Sequence, residues 1–209
     1  MMNENLTLKE TTKNHFDETA EEYDKSYDGM FVKCMYNEIL DRVIKLNPKK
    51  ILDLGCGNGN ILKLLSQKTD AELCGLDLSE KMICQAEKRL AGKAEFTIGD
   101  AENLPYKTNE FDVVICNASF HHYTNPVKVL KEVKRILKSH GVLILGDPTS
   151  PFDWYLKILN YFLKYSTSGD YKIYSSKEII QLLTSCGFNI EDFKKINYRT
   201  FALNAVSNQ

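Results

Sequence analysis

The stretch ILDLGCGNGN, Ile51 to Asn60, decides how the rest of the chain is read. An apolar run that stops at an acid and opens into three alternating glycines reads as a buried strand over Lys50 to Leu54, a tight turn, and a helix starting near Asn58. Gly55, Gly57 and Gly59, with Cys56 between the first two, allow positive φ and put no Cβ between main chain and ligand. The free N–H groups of the helix start are expected to point into the same space, which makes the stretch a ligand loop. The dinucleotide fingerprint GxGxxG would need a glycine where Asn60 stands, at the point where helix and strand pack closely. Asp53 argues the same way, because a carboxylate beside the loop repels a pyrophosphate and suits a ligand carrying positive charge. A plain corner, whose glycines only make the bend, is the other reading.

Working outward, 209 residues with 43% hydrophobic content fit one α/β domain with a sizeable core. A net charge of −1, from 27 basic and 28 acidic side chains, gives no bulk attraction to nucleic acid or anionic lipid. The six cysteines (34, 56, 74, 84, 116 and 186) form no C-x-x-C pair and have no metal-like histidine cluster beside them. They read as reduced thiols of a cytoplasmic protein, and no stretch is apolar for long enough to span a bilayer.

Along the chain, residues 1 to about 11 read as a disordered or loosely docked tail. Phe16, Ala20, Tyr23 and Tyr27 then fall at helical spacing, followed by a second periodic stretch ending at Asn47-Pro48. After the glycine loop, Ala71 to Leu76 reads as a second strand closing on Asp77, eighteen residues past Gly59 (77 − 59 = 18). That is close to the distance at which a strand-helix-strand unit places an acid beside a bound ribose. Ser79 is the better cap for the next helix, which leaves Asp77 free. Ala94 to Ile98 and Phe111 to Cys116 read as further strands, the latter running into Asn117-Ala118-Ser119-Phe120-His121-His122. Asn125-Pro126 starts a helix expected to run to Gly141, and Val142 to Leu145 makes a fifth strand. The aromatic-rich segment 149–174 reads as an inserted amphipathic lid for which Trp154, Tyr155, Tyr161, Phe162 and Tyr165 are candidate lining, with core packing of these rings or a homodimer contact as the other readings. Ser175-x-x-Glu178 opens a last helix, and Phe188 to Ile196 with Arg199 to Val206 suit an antiparallel pair.

Acid, one residue, then GxGxG resembles the first motif of class I S-adenosylmethionine-dependent methyltransferases, whose ligand carries a sulfonium and an ammonium. The resemblance covers roughly residues 14 to 206 and is strongest to the type 11 group, which includes the ubiquinone and menaquinone biosynthesis methyltransferases. It implies a seven-stranded, mostly parallel, doubly wound Rossmann-like sheet with a reversed last strand. The expected single domain divides into an N-terminal helical cap (14–46), a cofactor-binding core (49–148), the lid (149–174) and a C-terminal helix and strand pair (175–206). It further implies that Asp53, Gly55, Cys56, Gly57, Gly59 and Asn117 surround the cofactor and that Leu78, with Met82 beside it, packs on the adenine. Asp100 would accept from the exocyclic amine while the Ala101 N–H donates to the ring. FDETAEEYDKSY resembles the family's segment before the glycine loop, so Tyr23 or Tyr27 faces the cofactor, or both bury their rings under a docked helix. His121 and His122 are candidates for a base or for orienting the acceptor, with structural filling as the other reading. The expected activity is methyl transfer from S-adenosylmethionine, giving S-adenosylhomocysteine, to a small-molecule acceptor. A monomer or homodimer with no nucleic-acid partner, no membrane insertion and no metal is expected. A non-catalytic cofactor-binding subunit and a nicotinamide oxidoreductase are the other two readings.

Overall fold

Side chains on a strand alternate between faces, and β1 (Lys50–Leu54) shows how this layers the molecule. Ile51 enters one apolar core while Leu52 and Leu54 enter the other. The computed structural model describes residues 2–163 and 165–207. The remaining strands are β2 (Glu72–Asp77), β3 (Glu95–Ile98), β4 (Phe111–Asn117), β5 (Leu137–Pro148), β6 (Phe188–Lys195) and β7 (Thr200–Ser207). Their order in the sheet is β3-β2-β1-β4-β5-β7-β6. The first five pair in parallel, and β7 is antiparallel to both neighbours, so it alone runs against the others. The expected sheet, with its reversed final strand, is therefore present.

Helices cover both faces. Val32, Met35, Ile39 and Val43 of α2 (Tyr27–Leu46) pack with Leu62 of α3 (Asn60–Leu65) and Ile83 of α4 (Glu80–Leu90) on one side. Val129, Leu130 and Val133 of α5 (Pro126–Ile136) pack with Ile179 and Leu183 of α7 (Ser176–Ser185) on the other. Each such side chain taken out of water contributes about 1.5–3 kcal/mol, which the ordering of the chain largely offsets. Ser79, Asn125 and Ser175 cap their helices as their positions suggest, the last with a reciprocal capping box.

Several boundaries differ from expectation. The presumed tail is helix α1 (Met2–Thr19), with Met1 outside the described residues. No apolar stripe announces it, because polar contacts dock it: Lys9 pairs with Asp100 and Glu102 at 2.8 Å, and Thr12 donates to the Gly169 carbonyl. The helical spacing through Tyr23 and Tyr27 is broken instead by a 3-10 turn at Tyr23–Lys25. Ser26 then caps α2, its hydroxyl accepting from the Gly29 N–H. Helix α5 stops at Ile136 rather than Gly141, and β5 begins at once through an irregular register, with His140 at φ 60. In the 149–174 segment, α6 (Asp153–Leu163) buries Leu156 and Leu163, while Trp154, Tyr155, Tyr161, Phe162 and Tyr165 are exposed to solvent.

Candidate active site

All the strand ends read as functional meet at one edge, and the bend after β1 sits at its centre. Gly55, Gly57 and Gly59 take φ of 74, 52 and 78. A Cβ on Gly55 would lie 2.5 Å from Cβ of Ser119, so this glycine allows β1 and the end of β4 to touch. Gly57 meets nothing within 4 Å and opens into the cavity. Gly59 faces Ala86 and Leu90, serving the packing of α3 on α4 rather than the cavity. Four N–H groups of the bend itself, ahead of the helix start at Asn60, are spent inside the protein. Gly55 and Cys56 donate to the Leu76 carbonyl (2.8 and 3.0 Å), Gly57 to Oδ2 of Asp77 (2.8 Å) and Gly59 to the Cys56 carbonyl (3.0 Å). The Leu76 carbonyl and the Asp77 carboxylate at the end of β2 draw the bend inward, so these four donors are not available to cradle a phosphate.

A cavity open at its mouth lies over this bend. It is lined by Asp53, Gly55, Cys56, Gly57, Asp77, Leu78, Met82, Asp100, Ala101, Asn117, Tyr23 and His122 from the residues singled out in the sequence. Gly59, Tyr27 and His121 lie outside its wall. Tyr27 begins α2 as an exposed ring stacked on Phe31, its hydroxyl accepting from Arg199 at 2.7 Å.

The floor is acidic. Asp53 is buried at 2% exposure, and its carboxylate accepts no hydrogen bond among the described residues. Burial, with the Asp77 charge nearby, pushes its pKa up to about 7. Asp77 is also raised by burial, opposed by backbone donors: Ser79 N–H reaches Oδ1 at 2.9 Å and Gly57 N–H reaches Oδ2. Asp77 is thus less free than its spacing suggests, since it ties the bend to the start of α4. A buried, unpaired carboxylate is costly, and a cationic group in the cavity would relieve that cost. The side-chain oxygen of Asn117 is likewise buried without a partner.

The roof comes from the N-terminal segment, which the sequence did not tie to particular partners. Lys9, Thr12 and Phe16 of α1 and Tyr23 of the 3-10 turn line the cavity. Asp17 accepts from the Ser79 hydroxyl at 2.6 Å. Asp24 accepts from Asn58 (3.0 Å), Asn60 (2.8 Å) and Arg89 (2.8 Å). Although burial works the other way, these donors hold the Asp24 carboxyl down at about 2. Asn60, which first counted only as a missing glycine, is one half of this latch. Asp24→Ala should therefore speed release of a ligand held in the cavity about tenfold, corresponding to about 1.4 kcal/mol of latch. Stopped-flow release of the ligand checks it, and an unchanged off-rate would show that the roof does not gate the cavity.

At the far end stand the histidines. His121 Nδ1 is 2.9 Å from Asp147 Oδ1, and both imidazoles approach Asp170. Burial works against charge on His121, yet Asp147 and Asp170 raise its pKa above the ordinary value. Burial and the neighbouring His121 charge push the His122 pKa down, which favours its neutral form. Ser119 and Tyr123, missed in the sequence, complete this end: the Ser119 hydroxyl donates to the Leu54 carbonyl at 2.9 Å and lies 3.1 Å from the Tyr123 hydroxyl. Their only sequence signal was position just past a strand end.

Residues 52–145 match a family described as "Methyltransferase domain". A demethylmenaquinone methyltransferase of Thermotoga maritima is 34% identical over 83% of this chain and 83% of its own length. The chain belongs to the methyltransferase family. An uncharacterized protein of Methanocaldococcus jannaschii is also 34% identical, over 84% of this methyltransferase and 81% of its own length. Among solved structures, a SAM-dependent methyltransferase of Methanosarcina mazei has 24% identity and a TM-score of 0.65, covering 77% of this chain and 93% of that one. A chain from the complex of the Haloferax volcanii Trm112 methyltransferase activator with a methyltransferase has 19% identity and a TM-score of 0.81, covering 95% and 98%. These two likenesses concern the fold of the methyltransferase. No helix among its described residues is long and apolar enough to cross a membrane.

Proposed function

We propose that this methyltransferase moves a methyl group from S-adenosylmethionine to a small-molecule acceptor. The observation that carries the reading is the buried Asp53 and the half-buried Asp77 beside a glycine bend whose Gly55, Cys56, Gly57 and Gly59 N–H groups are spent inside the protein. That arrangement suits a cationic nucleoside and disfavours a pyrophosphate, which would need those donors and would face two carboxylates. The nicotinamide alternative is correspondingly weak.

Residue by residue, Asp53 would neutralise the positive amino-acid end, and Asp77 would accept from the ribose hydroxyls with the lone pairs its backbone donors leave open. Leu78 and Met82 offer apolar faces to the base. Asp100 and Ala101 lie where the exocyclic amine and a ring nitrogen would fall. The cofactor supplies a methyl carbon on a sulfonium leaving group. The protein's part is to align the acceptor with that carbon, to hold water out beneath α1, and to orient the acceptor through His122, Ser119 and Tyr123. The related demethylmenaquinone methyltransferase makes a flat quinol a reasonable first acceptor to try. All six cysteines are unpaired, which suits a reducing cytoplasm.

Incubation with methyl-labelled cofactor and a panel of quinols, phenols, amines and enolisable acids tests the proposal, with label in one product as the expected result. Tight cofactor binding with no acceptor labelled would favour a non-catalytic subunit, and preferential binding of a nicotinamide cofactor would overturn the reading.

A pH dependence follows from Asp53. Its folded pKa of about 7 lies above its ordinary 3.8, so the ligand-free fold binds an extra proton between those values. The stabilisation from that proton is complete below about 4 and is lost as pH rises through 7. A cation must displace the proton, so cofactor affinity should rise about tenfold per unit toward pH 7 and level off above it. Calorimetry across this range in two buffers checks both the slope and the released proton; a flat profile would mean the carboxylate does not meet the positive end.

A further inference from the structure

Asp170 reaches the carboxyl edge from the polar link between α6 and α7, 48 residues beyond His122 (170 − 122 = 48), which hid it from any reading of spacing. Its Oδ1 is faced by two imidazole nitrogens, His121 Nε2 at 3.4 Å and His122 Nδ1 at 3.3 Å, and the three atoms lie within 4.8 Å of one another. These two separations, like the 3.4 Å from His122 Nδ1 to the Gly169 carbonyl, are longer than the usual N–H···O distance of about 2.7–3.2 Å. They match instead the edge, about 3.3–3.4 Å, of a tetrahedron whose corners lie about 2.0–2.1 Å from its centre, the span at which zinc holds imidazole nitrogen and carboxylate oxygen.

The surroundings orient each donor atom. His121 Nδ1 donates to Oδ1 of Asp147, itself 1% exposed, which fixes the ring with Nε2 directed at Asp170. Carboxylate-histidine-metal is the arrangement that orients such ligands, an ion at Nε2 taking the place of that nitrogen's proton. The Ser168 hydroxyl donates to Asp170 Oδ2 at 2.5 Å, leaving Oδ1 for the histidines. Tyr171 and Lys172 donate their backbone N–H groups to the His121 carbonyl (2.8 and 3.0 Å), which fixes the link against the histidine turn. Side-chain exposures of 12%, 10% and 20% for His121, His122 and Asp170 keep water competition low. The other grouping of donor residues among those described, Glu72, Cys74 and Glu95, already holds a cation, since Lys50 Nζ lies 2.6 Å from Glu72.

We propose that His121 Nε2, His122 Nδ1 and Asp170 Oδ1 bind one divalent transition-metal ion of the zinc class. His122 belongs to the cavity wall, so the ion's fourth position is open to water or to an oxygen of a molecule bound there. The site stands on its own geometry, and its test does not depend on methyl transfer.

Protein stripped with chelator and dialysed should be titrated with cobalt(II) while visible absorption is recorded, and zinc affinity measured by competition with a chromophoric chelator. One equivalent per chain is expected, with four-coordinate cobalt bands, no thiolate charge-transfer band and displacement by zinc. Asp170→Asn should abolish or greatly weaken binding, and Asp147→Asn should weaken it about 10–100-fold by freeing the His121 ring. Unfolding curves in chelator show whether each variant folds; should Asp170→Asn not fold, Ser168→Ala, which leaves every ligand in place, should still weaken binding several-fold. Substoichiometric binding at micromolar metal, a thiolate band, or unchanged affinity in Asp170→Asn or in Ser168→Ala would overturn the proposal.

Discussion

Gly55→Ala is expected to destabilise the fold by about 2–5 kcal/mol and to abolish measurable cofactor binding. Positive φ at 74 costs a side-chain-bearing residue about 1–2 kcal/mol, and the new Cβ would lie 2.5 Å from Cβ and 2.6 Å from Oγ of Ser119. Ser119 cannot give way cheaply, because its hydroxyl donates to the Leu54 carbonyl at 2.9 Å and sits 3.1 Å from the Tyr123 hydroxyl. Overpacking of this kind adds about 1–3 kcal/mol. Gly57→Ala is the informative control: its φ is 52 but nothing lies within 4 Å, so stability should fall by only about 1–2 kcal/mol while the methyl intrudes on the ligand. Urea denaturation with calorimetry separates the two, and Gly55→Ala with a wild-type unfolding midpoint would show that the bend is not wedged between β1 and β4.

The second large effect is expected of Asp77→Asn, a loss of cofactor affinity of about 5–150-fold, or 1–3 kcal/mol. Both carboxylate oxygens accept from backbone N–H groups, Gly57 at 2.8 Å and Ser79 at 2.9 Å. An amide must turn its NH2 toward one of them, donor against donor, which displaces either the bend or the start of α4, and it also weakens the contact offered to the ribose. Stability is a poor readout here, because removing the charge also relieves its repulsion with Asp53 and lets that carboxyl ionise more easily. Affinity is the clean readout, and wild-type affinity in Asp77→Asn would place the ribose elsewhere.

What was legible in the chain follows from which signals are local. Strands β1, β2 and β4 were readable because burial on both faces writes a continuous apolar run, and the caps at Ser79, Asn125 and Ser175 are single-residue chemistry. The end of α5 was misread because Gly141 resembles a helix stop, whereas the chain had already turned into β5 through His140 at φ 60. The part of α1 ahead of Phe16 left no signal because polar pairs such as Lys9 with Asp100 dock it, and pairs 91 residues apart leave no periodicity. For the site, acids at strand ends marked the cavity's floor. Its roof latch, Asp24 with Asn58, Asn60 and Arg89, and the arrival of Asp170 beside the histidines are products of tertiary folding alone. The aromatics of 153–165 misled for the opposite reason, since amphipathic spacing says that a face is apolar without saying what it meets.

A crystal of the protein soaked with S-adenosylhomocysteine tests the central claim most directly. The account predicts the ribose hydroxyls within hydrogen-bond distance of Asp77, the amino-acid end against Asp53 and Gly55, and the sulfur directed toward His122 and Tyr123. Density for the nucleoside outside this cavity, or a ribose with no contact to Asp77, would contradict it.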